Sequence, residues 1–225
     1  YLRKLLLKDF QEKHVALTMA VIILGTNLLH YVTDETTVSH AYSFALFSVF
    51  MWATLQWYHS PNIKNSIILG LLIGLISLIR PTNIIIVLFF LLYDIKSFKD
   101  IKSRFLHFRK NYIVLLLMIT VAFLIWVPQL IYWKVMTGQL LYYSYPGESF
   151  FFGNPHITDG LFGYRKGWFI YTPVMIFFII GIFFLLSIKG RKYFLPIFCY
   201  TILNIYIILS WHCWWYGGSF GLRAF

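Results

Sequence analysis

The chain has 225 residues, 60% hydrophobic and 21% aromatic, and only 12% are charged, against roughly 25% in an ordinary soluble domain. With a mean hydropathy of +0.72 there is too little polar material to cover a core, which excludes a water-soluble globular domain and makes lipid the expected solvent. The net charge is +11, from 19 Lys and Arg against 8 Asp and Glu. These cations fall in short runs between apolar segments with no nucleic-acid motif, so they predict loops facing an anionic leaflet and no nucleic-acid partner. Cys199 and Cys213 would lie about 21 Å apart on a continuous helix, too far for a disulfide.

Apolar runs of spanning length, near ~20 residues each, occur at about 14–31, 41–58, 112–132, 170–188 and 194–211. Between the second and third lies 66–93, where Arg80-Pro81-Thr82-Asn83 divides Ser66–Ile79 from Ile84–Tyr93. Parity decides whether this is one span or two. With two segments, 66–79 and 84–93, the loops on one side hold 14 Lys and Arg (1–14, 59–65, 94–111, 189–192) and the other side holds Arg80, Lys134, Arg165, Lys166 and Arg223. With one span the bias disappears. The sequence therefore predicts an all-α, polytopic integral membrane helical bundle of about seven membrane segments, including a short broken pair at 66–93. It forms a single transmembrane domain over 1–225, read as a fragment of a longer chain.

Pro81 removes a backbone donor and pushes Arg80 out of helical geometry, so the break is local. At membrane depth such a break must be buried in protein or line a polar cavity. Gly70-x-x-x-Gly74 predicts a close helix contact. Segment 94–111, DIKSFKDIKSRFLHFRKN, mixes six basic residues with Ile95, Phe98, Ile101, Phe105 and Leu106 and predicts an amphipathic helix on the inner surface.

Three polar regions face outward. Asp34-Glu35-Thr36-Thr37-Val38-Ser39-His40 is either a solvated turn or the source of a base, an orienter or a cation site. Its spacing matches no strong metal signature, and neighbouring carboxylates diverge by about 100° on a helix. The loop 134–169 is too aromatic for a loop surrounded by water and predicts interfacial helices or a lid. Within it, Tyr164-Arg165-Lys166 brings back two cations that either bind phosphate or snorkel to headgroups. Trp211 to Arg223 contains Trp214 and Trp215, read as an interfacial belt or as a stacking wall for a sugar beside Gly217 and Gly218. His212 reads as an ordinary interfacial histidine.

The stretches GLLIGLISLIRPTN, YVTDETTVSHAYSF, GYRKGWFIYTP and WWYGGSFGLR together resemble bacterial multi-span membrane glycosyltransferases of the GT-C superfamily, whose members include protein O-mannosyltransferases and lipid A aminoarabinose transferases. The resemblance implies an inner-membrane enzyme that takes a sugar from a polyprenyl-phosphate carrier and passes it to a glycan, lipid or protein acceptor on the outer face. It implies Asp34 at an acidic catalytic position, with Glu35 beside it, and Arg80 at the position that binds the carrier phosphate. The usual base of the first outer loop would lie upstream of Tyr1. The nominated donor and acceptor contacts are His40, Arg80, Asn83, Tyr164, Arg165, Lys166, Trp214, Trp215 and Arg223. No cofactor is expected, a divalent cation being the alternative. The rival functions are a lipid-linked sugar flippase or transporter, because broken helices with a buried arginine mark substrate paths, and a non-catalytic subunit.

Overall fold

A computed structural model describes residues 1–187, 190–218 and 221–222. Among them the regular structure is helical, with one isolated antiparallel bridge between Phe150 and Trp211. In chain order the helices are α1 (Leu2–Leu6), α2 (Glu12–Gly25), α3 (Leu28–Thr33), α4 (His40–His59) and α5 (Ile63–Ile79). A 3-10 turn (Pro81–Ile86) leads into α6 (Val87–Leu92), followed by α7 (Phe98–Lys110) and α8 (Tyr112–Thr137). The chain continues through α9 (Ile157–Phe162), α10 (Trp168–Tyr171), α11 (Met175–Phe184) and α12 (Arg191–Leu209).

Local chemistry sets most of these boundaries. Asn62 caps α5 by accepting from the Asn65 amide at 2.9 Å, as an N-cap side chain does for one of the orphan donors of a first turn. The helix stops at Arg80, whose backbone is extended (φ −153°, ψ 112°) because Pro81 disfavours helical geometry in the residue before it. Helix α7 opens with a capping box between Ser97 and Asp100. Helix α8 ends on Gly138 at φ +75°, a left-handed cap that glycine adopts without a Cβ clash.

Two helices among the described residues, α8 and α12, are long and apolar enough to cross a membrane. Only 6% of the most apolar part of α8 is buried, so it is not the shielded core helix of a water-soluble domain. The segment predicted at 14–31 is broken. Thr26 is extended (φ −121°) and its hydroxyl donates to the Ile22 carbonyl at 2.6 Å, which separates α2 from α3. The segment predicted at 170–188 is also interrupted, because Pro173 follows a non-helical Thr172, leaving the ten-residue α11.

Helices α4, α5, α6 and α8 enclose the main core. Trp57 is fully buried and donates to Ser66 Oγ at 2.8 Å. Gly70 and Gly74 lie directly against α8: a Cβ on Gly70 would come within 2.5 Å of the Met118 carbonyl, and one on Gly74 within 2.7 Å of Ile125 Cβ. That is the close approach expected of the Gly-x-x-x-Gly spacing.

The basic segments gather at one end of the bundle. Asp9 accepts from Lys192 at 2.9 Å and from the Tyr193 hydroxyl at 3.0 Å. The Asp94 amide donates to the Lys192 carbonyl, and the His107 and Trp57 rings lie 5.5 Å apart. At the opposite end, Phe151 and His212 pair with the backbone of Ser210 and Ser149. Within the loop expected at 134–169, residues 139–156 are non-helical and dock on the end of α12 through Tyr145 and Phe150 against Trp211, whereas the rest holds the short α9 and the start of α10.

Candidate functional site

The breaks at Thr26–Asn27, Arg80–Asn83 and Thr172–Pro173 surround one cavity of about 810 Å³. Its walls are amphipathic. Leu17, Val21, Phe44, Phe47, Phe177 and Phe178 supply an apolar face, whereas Asn27, Tyr31, His40, Ser43, Arg80, Asn83, Tyr200, Thr201 and Asn204 supply a polar one. Apolar walls with a few convergent polar groups are the usual composition of a small-molecule site.

Arg80 reaches this cavity because the extended backbone before Pro81 turns it off the end of α5. It makes no ion pair among the described residues. The Tyr216 ring centroid lies 5.5 Å from its guanidinium carbon. A guanidinium offers a planar fork of donors whose geometry suits an oxyanion. One turn on, Asn83 donates to Ser43 Oγ at 3.1 Å, tying the break to α4. His40 opens α4 and packs on Tyr31, ring centroids 4.6 Å apart.

Of the nominated residues, His40, Arg80 and Asn83 are therefore brought together, but Asp34 and Glu35 are not part of the cavity wall. The expected divergence of the two carboxylates is corrected: both turn to His30, with Asp34 Oδ2 3.1 Å from Nδ1 and Glu35 Oε1 3.7 Å from Nε2. The chain leaves α3 just there, so Asp34 still follows the helical i,i+4 relation to His30 while Glu35 folds back over it. Among the described residues no group of three or more His, Cys, Asp and Glu is arranged to hold a metal ion.

The basic and aromatic stretches around Arg165 and Trp215 meet each other. Arg165 lies over the Trp215 ring at 3.7 Å, and Lys166 donates to the Gly217 carbonyl. Trp214 is 8% exposed and packs with Trp168, Ile208 and Leu209 in a second core, with His156 stacked on it at 5.9 Å. It is neither an open stacking wall nor a lipid-facing belt residue. Tyr164 is 91% exposed, and its carbonyl accepts from Tyr171 Oη at 2.9 Å. This strap touches the cavity wall where the Tyr216 ring lies by Arg80 and where Gly221 approaches Asn27. Arg223 lies outside the described residues.

The sequence reading missed Asn27, Tyr31, Ser43, Tyr200 and Asn204. Asn27 and Asn204 carried a usable signal, since an amide within an apolar run is expensive in lipid and marks a polar interior. Comparison with protein-family models, with curated proteins and with solved structures finds no match to this chain, so the site is read from its own chemistry.

Proposed function

We propose that the chain is a multi-pass membrane glycosyltransferase of the GT-C type, acting from a bacterial inner membrane on a polyprenyl-phosphate-linked sugar. The carrying observation is Arg80: a guanidinium forced out of a helix by Pro81, without a carboxylate partner among the described residues, facing an amphipathic cavity. The strongly apolar α8, little of whose apolar stretch is buried, supports the membrane placement. The gathering of basic segments at the end opposite Arg80 supports the sidedness with Arg80 outside.

In this reading the apolar wall holds the first units of the carrier and Arg80 binds its phosphate. The acceptor hydroxyl attacks the anomeric carbon as the bond to the phosphate oxygen breaks. The departing phosphate keeps the electron pair, and Arg80 stabilises the charge that develops on it. Asn83, Asn27 and Asn204 supply neutral hydrogen bonds to sugar hydroxyls. A base must accept the acceptor's proton; His40 stands in the cavity wall for this role, whereas Asp34 and Glu35, held by His30 outside that wall, would serve only an acceptor that enters past the loop. Arg165, Lys166, Trp215 and Tyr216 act as a strap that fixes the outer edge of the Arg80 site.

Three broken segments around one cavity are also what a transporter uses to build a path through the bilayer, which is the observation favouring a lipid-linked sugar flippase. Full-length protein reconstituted into vesicles with a labelled lipid-linked sugar separates the two. Label appearing on an added acceptor, and lost in Arg80→Gln, supports transfer. Label moving between leaflets while still attached to its carrier lipid overturns it in favour of transport.

A further inference from the structure

We propose that α7 docks on an anionic bilayer leaflet at the end of the bundle remote from the cavity, with an apolar ridge in the lipid and a basic ridge at the level of the phosphates. One side of the helix is already seated on the protein. Phe108 stacks on Phe90 at 5.7 Å, His107 stacks on Tyr58 at 5.8 Å, and Arg104 lies 4.1 Å over the Tyr58 ring while donating to the Tyr93 carbonyl. Asp100, the only acid in the helix, is on this seated side and is used in the cap, accepting from the Lys96 and Ser97 amides at 2.9 and 2.8 Å.

With that seat fixed, about 3.6 residues per turn places the remaining side chains on the far side. Phe98 is 92% exposed, and Ile101, Phe105 and Leu106 are exposed with it. Interleaved with them, Lys99, Lys102, Arg109 and Lys110 are exposed and make no ion pair among the described residues. The exposed side is thus apolar and basic with no acid on it.

Charge complementarity selects the occupant. A polyanion such as RNA would answer the four cations but leave Phe98 and Phe105 in water. A neutral bilayer would cover the phenylalanines but leave the cations without counter-charge. An anionic leaflet answers both, with the apolar face ~5–10 Å into the headgroup boundary. Each cation near such a surface strengthens binding about fivefold. The position fits, because Asn111 alone separates α7 from α8, whose lipid-type exterior begins at Tyr112. This inference rests on the membrane placement proposed above but not on sugar transfer, so loss of carrier binding would leave it standing.

The test uses the full chain in bilayer discs, in a Cys199→Ser, Cys213→Ser background, with a nitroxide on Phe98→Cys or Phe105→Cys. Ile119→Cys on α8 and Lys64→Cys serve as apolar and aqueous references. Accessibility to oxygen and to a water-soluble nickel reagent reports depth. In discs containing phosphatidylglycerol, positions 98 and 105 should resemble 119. In phosphatidylcholine alone they should shift toward 64, as they should in anionic discs after Lys99, Lys102, Arg109 and Lys110 are all changed to Gln. Should the quadruple variant not fold, the change of lipid carries the test on the unaltered helix. Equal depth in the two lipids, immersed or not, would overturn the proposal.

Discussion

The two ends of the bundle solve opposite problems with similar residues. At the end carrying most of the basic residues, the carboxylates are engaged in holding the chain: Asp9 holds Lys192 and Tyr193, Asp94 holds Lys96 at 2.8 Å, and Asp100 caps α7. At the other end Arg80 has no acidic partner among the described residues, three helical segments are broken, and amides and hydroxyls turn inward on a cavity. Breaking backbone regularity and leaving a cation without counter-charge both cost stability in a low-dielectric setting. One end holds the helices together, and the other keeps a cavity open.

Substitutions at the closed end should lower stability, and those at the open end should change binding with little change in melting. The largest stability effect is expected from Trp57→Ala, which empties a fully buried site and strands Ser66 Oγ; about 3–5 kcal/mol should be lost, read as a large drop in the melting temperature of the detergent-solubilised protein. A stable Trp57→Ala protein would show that the core does not depend on this end.

Asp9→Asn should cost about 1.5–3 kcal/mol, since it weakens contacts to both Lys192 and Tyr193. A double-mutant cycle with Lys192→Met checks whether the loss belongs to that pair.

Smaller still is a pH effect at His107. Burial, and then the neighbouring Arg104 and Lys110, hold its imidazole below the usual histidine range, and its Nε2 is buried without a partner. The unfolded chain therefore binds this proton at a higher pH than the folded one. Stability is full above the unfolded pKa of about 6.5 and falls as the pH drops through it toward the folded value. Melting followed from pH 7.5 downward should show the decline, and His107→Gln should remove that component.

Smallest in melting should be Asn83→Leu. It removes the hydrogen bond to Ser43 at an already irregular turn, so carrier affinity should fall with a melting change of about 1 kcal/mol or less. A large melting loss there would mean that Asn83 serves the fold and not the site.

These contrasts follow how much of each region could be read from sequence. The Arg80 break was legible because proline acts on its own residue and its predecessor, and the Gly70–Gly74 contact because helical spacing is local. By the same logic Pro173 divides the segment 170–188, although the apolar run around it reads as continuous. The Thr26 break has no such signal, because a threonine hydroxyl donating to the carbonyl four residues back is common in intact helices.

Much of the cavity was illegible for a different reason. Tyr31, Ser43, Arg80 and Asn204 come from separate elements, and only tertiary packing turns them to one space. Trp214 and Trp215 show the converse error: an aromatic cluster at a helix end reads as a belt or a wall, but here one ring is packed in a core and the other lies beneath Arg165.

The central claim is that Arg80 binds phosphate. It is tested most directly by measuring binding of a polyprenyl phosphate to purified full-length protein, beside a thermal melt, for the natural chain, Arg80→Lys and Arg80→Gln. Loss of one contact to a developing anion typically costs about 10²–10³ in rate, so transfer by Arg80→Gln should fall by that order. Carrier affinity should fall with it at nearly unchanged melting temperature, and Arg80→Lys should retain part of both. A well-folded Arg80→Gln protein that binds the carrier as tightly as the natural chain would contradict the account.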